Sequence, residues 1–330
     1  MEYGEKELQL CAAVCRTDVN AVVELLNQGA SVDARPLAED YTYGTVPDLS
    51  CLHKAVESGS KGMVAILLKR GATVDVDAPP VGAPLHVACA KDFSEIVTLL
   101  LDHGANVNAR DARGRTALVI AIEKGNGALV GLLVQRSADV NAKYGWEDGN
   151  GRTPLHAAIA SSDLDTVRLL LDNGADVNSR TVVGNGGGHV QGTAPIHVAA
   201  RRGNVPIAEL LLAKGADVNA SEYAPLIYSG FGSFSQPWLY CVAPRLCGLG
   251  RTPLHLAVMR DHLEMTQWLL THGTRSHTRD LFGLTAYDYA IEQGNSELCL
   301  LFRSVKAERT RWWLRRRHRA KRRELNKDSG

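Results

Sequence analysis

No apolar run in this 330-residue chain reaches the roughly 18 residues that a membrane-spanning helix needs. The opening stretch, Met1-Glu-Tyr-Gly-Glu-Lys-Glu7, is charged and lacks the apolar segment of a secretory signal. Cysteine occurs seven times, an odd number, and the positions are scattered. That excludes a regular disulfide framework and fits a reducing, intracellular setting, cytoplasmic or nuclear. Charged residues are 22% and hydrophobic residues 45%, which excludes wholesale disorder.

Catalytic signatures are also missing. Gly184-Asn-Gly-Gly-Gly-His189 is glycine-rich but has no Gly-Lys-Ser/Thr to hold a phosphate. Gly230-Phe-Gly-Ser233 is followed by none of the lysine and aspartate motifs of a kinase. Cys11 with Cys15, and Cys241 with Cys247, lack the close, paired spacing of a zinc site. No catalytic, metal-ligating or cofactor-binding residue is assigned, and a non-enzymatic role without a cofactor is expected.

What is present is a repeat. Thr153-Pro-Leu-His-Ala-Ala158 is followed by an apolar helical stretch, Leu169-Leu-Leu171, and then by Gly174-Ala-Asp-Val-Asn178. The Leu position recurs at Leu52, Leu85, Leu118, Leu155, Ile196, Leu254 and Tyr287, with spacings of 33, 33, 37, 41, 58 and 33. A small residue follows at Ala55, Ala88, Ala121, Ala158, Ala199, Ala257 and Ala290. The loop glycine falls at Gly29, Gly71, Gly104, Gly174, Gly215 and Gly273, with Ser137 in its place once. Each residue has a local reason. Thr153 suits a helix N-cap, and Pro154 suits the first helical position, where no N–H is needed. Gly174 ends a helix where a positive φ is required. One such helix–turn–helix unit cannot bury its apolar face alone, so neighbours must stack.

A base period of 33 with these motifs resembles the ankyrin-repeat family over roughly residues 5–302. We count eight copies, the first opening at Leu10 with Cys11 in the histidine position. The resemblance implies an all-α solenoid over 1–302, atypical terminal copies, and a basic tail over 303–330. It also implies that His53, His86, His156, His197 and His255 bridge backbone groups near helix starts rather than bind metal. Binding of another protein in the groove between first helices and finger loops is what the family's use implies. A substrate-recruiting adaptor of a ubiquitin ligase is an alternative. In animal ankyrin repeats, asparagines with a Leu-x5-Asp-Val-Asn spacing are hydroxylated by an oxygen-dependent enzyme. Asn141, Asn178 and Asn219 match that spacing.

The departures from period 33 all lie between Gly-Ala-x-Val-Asn and the next Thr-Pro-Leu-His. Four long fingers result, at about 35–49, 142–152, 179–192 and 220–250. They hold 10 of the chain's 19 aromatics, where even scatter would give about 4. Tyr and Trp are favoured interface anchors. Tyr41, Tyr43, Tyr144, Trp146, Tyr228, Phe231, Phe234, Trp238 and Tyr240 are therefore the expected partner-binding residues, against a self-packing alternative for the 220–250 loop.

Charge is segregated. From Arg303 onward there are 12 Lys and Arg against 3 acids, so the rest of the chain is net acidic. Arg315, Arg316, Arg317, Arg319, Lys321, Arg322 and Arg323 fit a nuclear-import signal read by an import receptor. With Trp312 and Trp313 they also fit contact with an acidic polymer such as nucleic acid or with an acidic membrane surface, and a nuclear or nucleic-acid-associated regulator acting through this tail is a further alternative function. A third reading is a helical extension whose tryptophans cover the last repeat.

Overall fold

The computed structural model describes residues 4–35, 49–145, 151–183, 190–222 and 250–305. The chain divides into two compact units, Met1–Asp176 and Val177–Gly330. Among the described residues, no helix is long and apolar enough to cross a membrane.

The first unit is a succession of antiparallel helix pairs: α1 (Glu5–Cys15) with α2 (Val19–Asn27), α3 (Cys51–Glu57) with α4 (Lys61–Lys69), α5 (Pro84–Ala90) with α6 (Ser94–Asp102), α7 (Ala117–Lys124) with α8 (Gly127–Gln135), and α9 (Pro154–Ala160) with α10 (Leu164–Asp172). The second unit continues with α11 (Pro195–Arg202) and α12 (Val205–Ala213), α13 (Pro253–Met259) and α14 (Leu263–Thr271), and α15 (Ala286–Glu292) with a helical segment over 296–305. A two-residue antiparallel ladder, Val182–Val183 on Val190–Gln191, lies at the base of one finger.

The sequence dictates these boundaries. Pro84, Pro154, Pro195 and Pro253 each occupy the first helical position, where the missing N–H is no loss. Six of the second helices open on short polar caps: Asp18, Ser60, Asn126, Asp163, Asn204 and Asn295 accept from the N–H three residues on, at 2.8–3.4 Å. Thr153 is the N-cap of its helix in a capping box with His156: the Thr153 N–H donates to the His156 Nδ1 at 3.3 Å, and the Thr153 hydroxyl lies 2.8 Å from the same nitrogen.

Each pair buries one stripe. Leu52, Leu85, Leu118, Leu155, Ile196 and Leu254, the repeat Leu positions, are at most 1% exposed. The paired Ala positions at Ala55, Ala88, Ala121, Ala158, Ala199 and Ala257 are fully buried, and their small side chains let neighbouring first helices approach. Contacts then run from one first helix to the next, α1 to α3 to α5 to α7 to α9, and separately α11 to α13 to α15. That nearest-neighbour pattern is a solenoid's.

Candidate partner-binding surface

Three of the repeat histidines are seen to bridge the scaffold at both ring nitrogens. His86 Nδ1 accepts from the Ala83 N–H at 3.0 Å while Nε2 meets the Ala109 carbonyl at 2.9 Å. His53 spans from the Ser50 hydroxyl to the Gly82 carbonyl, both at 2.9 Å. His255 spans from the Thr252 N–H at 3.1 Å to the Leu284 carbonyl at 3.2 Å. An Nδ1 that accepts leaves the proton on Nε2, so each of these rings is neutral and links a helix start to the following finger. Burial holds His53 and His255 below the usual imidazole range and pushes His197 down to about 3. Cys11, in the first copy's histidine position, donates to the equivalent carbonyl, that of Ala34, at 3.7 Å. Among the described residues, no three His, Cys, Asp or Glu converge on one point.

The three candidate asparagines form a backbone ladder. Asn141 donates to the Gly174 carbonyl at 3.0 Å and accepts from the Asp176 N–H at 2.9 Å. Asn178 does the same with Gly215 and Asp217, both at 3.1 Å. Asn219 does it with Gly273 at 3.3 Å and Arg275 at 2.8 Å. Both ends of each amide are thus occupied by the following repeat.

Four of the fingers share one closing device. In a short finger, Asp111 donates its N–H to the Arg115 carbonyl at 2.9 Å, and Gly114 donates back to the Asp111 carbonyl at 2.8 Å. The last finger repeats this with Asp280, Leu284 and Gly283 at 2.9 and 3.0 Å. Two long fingers use the same two bonds, and a third closes on a reciprocal pair. Thr181 pairs with Thr193 and Gly192 at 3.1 and 2.7 Å, and Tyr144 pairs reciprocally with Arg152 at 2.8 and 2.9 Å. Glu222 pairs with Arg251 and Gly250, both at 2.8 Å, across the longest insertion. Gly114 and Gly250 have the same φ of 70°, a left-handed value that glycine adopts without cost. The stems of the longest finger are anchored further. Arg201 reaches the buried Glu222 carboxylate at 3.3 Å, and Arg251 lies 5.5 Å from the Tyr289 ring centroid, whose hydroxyl donates to Asp280 at 2.7 Å. Burial raises the Glu222 carboxyl above its ordinary value.

Of the aromatics expected to meet a partner, Tyr144 alone lies among the described residues, and it is 7% exposed. Its side chain is buried and its backbone is bridged to Arg152, so it offers little surface to a partner. Tyr41, Tyr43, Trp146, Tyr228, Phe231, Phe234, Trp238 and Tyr240, and the basic cluster from Arg315 to Arg323, lie outside the described residues. The structure adds a pair that the sequence reading passed over. Leu281 and Phe282, at the tip of the last finger, are 54% and 44% exposed. The available signal was their position, which in the short finger before α7 is held by Ala112 and Arg113.

This arrangement is matched by known proteins. A crystal structure of the ankyrin repeat domain of Bcl-3, described as a member of the IkappaB protein family, aligns with 72% of this chain and 92% of that one, at a TM-score of 0.55 and 26% identity. The potassium channel AKT1 of Arabidopsis thaliana is 37% identical over 60 residues, which is 18% of this chain and 7% of the channel. The family model for ankyrin repeats in three copies matches residues 52–144, 85–181, 142–222 and 236–309. Those blocks take in well over half of the sequence and coincide with the helix pairs, their bridging histidines and their clamped fingers, so the chain belongs to the ankyrin-repeat family.

Proposed function

We propose that the chain is a non-enzymatic scaffold or adaptor that binds another protein through the groove beside its first helices and through its finger insertions. Ankyrin repeats are in general protein–protein interaction modules. The observation that carries the reading further is the clamp. Histidines and asparagines of the scaffold are spent on internal bonds, whereas backbone bonds at the ends of the long fingers close the repeats around sequences rich in aromatics. Aromatics offered on such segments have the character of interface anchors. Leu281 and Phe282 join the aromatic fingers as contact residues.

The test compares the intact chain with one in which residues 223–249 are replaced by a short turn between Glu222 and Gly250. Binding partners recovered with the intact chain should be lost while the thermal midpoint is kept. Trp238→Ala should weaken binding by about 2 kcal/mol or more without moving that midpoint. A fall in midpoint with unchanged affinity per folded molecule would mean that the insertion packs on the array, and recognition would then belong to the other fingers.

A further inference from the structure

The last repeat carries an apolar face that its counterparts bury. Three residues past the histidine position stand Val14, Val56, Cys89, Ile122, Ile159, Ala200 and Val258, which are 0–3% exposed. The eighth equivalent, Ile291 on α15, is 54% exposed. Tyr287 takes the repeat Leu position, where Leu254 is 1% exposed, and is itself only half-buried. Cys299 and Leu301 on the following helical segment are half-buried too, although their counterparts Thr266 and Trp268 are buried. A solvated cap would carry polar residues at these positions. This one keeps an isoleucine.

We propose that the face formed by Tyr287 and Ile291 is a docking surface for the chain's own tail, with Trp312, Trp313 and Leu314 as the covering residues. Three observations select that occupant. Continuity comes first: the helical segment runs to residue 305 along this repeat, with the Arg303 guanidinium 3.4 Å from the Tyr287 hydroxyl and the Tyr287 and Phe302 rings 5.4 Å apart. Trp312 follows seven residues later, so its local concentration at this face is that of a short tether. Composition comes second: Trp312-Trp-Leu314 is the apolar stretch of an otherwise charged tail, and an apolar face is what it would cover. Charge comes third: Glu292 and Glu297 are exposed on this repeat, and the tail around the tryptophans carries Arg309, Arg311 and Arg315–Arg317. The docked tail then does for Ile291 what the next repeat does for Val258, and it holds the arginines against an acidic rim.

A double-mutant cycle in the 330-residue chain tests this. Trp312→Ala/Trp313→Ala should lower the urea midpoint of unfolding, and Ile291→Ala should lower it as well. Combined, they should lower it little further than the tryptophan pair alone, because each removes the same contact. The protein should stay monomeric by light scattering throughout, and raising the ionic strength should reduce the effect of the tryptophan substitutions. Strict additivity of the two changes, or no change from the tryptophan pair, would overturn the proposal. A midpoint and a mass that depend on protein concentration would overturn it in favour of a second copy stacked on the same face.

Discussion

Ser137 shows how a single residue registers the repeat. It takes the place of the loop glycine and is held at φ 65°, whereas the glycines at Gly71, Gly104, Gly174 and Gly215 sit at 84–91° with open space where a side chain would go. A non-glycine residue in the left-handed region costs roughly 1–2 kcal/mol. Ser137→Gly should therefore raise stability by about 1 kcal/mol, read as a higher urea midpoint with an unchanged slope. No gain would mean that the serine side chain compensates for its backbone. Gly203 is the opposite case. Its φ is 69°, and an added Cβ would come 2.7 Å from the His262 ring, which bonds the Arg201 carbonyl at 3.0 Å. Gly203→Ala should lower the thermal midpoint by several degrees.

At the scale of the element, the clamp predicts that the long insertion is separable. Two backbone bonds close five-residue and thirty-residue fingers alike, and loop-closure entropy grows only slowly with length. Joining Glu222 to Gly250 through a short turn should leave the midpoint of thermal unfolding within a few degrees of the parent. Arg251→Ala should do more harm than the whole excision. It removes the cation over Tyr289 and leaves the buried Asp280 with less positive charge nearby, at a cost of about 1–3 kcal/mol. Helix starts, the buried Leu and Ala stripe and the bridging histidines were legible in the sequence, because each places a distinct residue type at a set spacing. The clamp was not. Asp111 and Asp280 mark it with a carboxylate that accepts from the N–H groups two and four residues on, but Tyr144, Thr181 and Glu222 stand at the same place with three other side chains, so no one residue type marks the position. For the same reason the burial of Tyr144 was not legible, since residue type says only that it is aromatic. Ile291 escaped notice because it matches its counterparts in sequence and differs only in what covers it.

At the scale of the molecule, repeated imidazoles make stability a function of pH. Burial keeps His53, His197 and His255 neutral in the folded chain, the last two in the second unit. In the unfolded chain each titrates near 6.5. Below that value the unfolded state binds more protons, so stability is complete above about pH 6.5 and declines as the pH falls toward the folded value, about 3 for His197. Urea midpoints measured from pH 7.5 down to 4.5 should fall continuously, and His197→Gln should flatten the slope. A flat profile in the parent would show that these rings accept protons without strain. Core truncations act on whole stacks as well. Leu155→Ala in the first unit or Leu211→Ala in the second, both fully buried, should each cost about 2–5 kcal/mol, seen by circular dichroism as an earlier loss of helix.

The common finger clamp has a consequence for how such a chain can change over time. Because its donors and acceptors are backbone groups, the clamp asks little of side-chain identity beyond the glycine at its left-handed position, and the enclosed text is released from the grammar that governs the helices. Insertions, deletions and wholesale replacements between Glu222 and Gly250 should then be nearly neutral for folding, and the same port should accept a foreign epitope or a reporter peptide grafted by design.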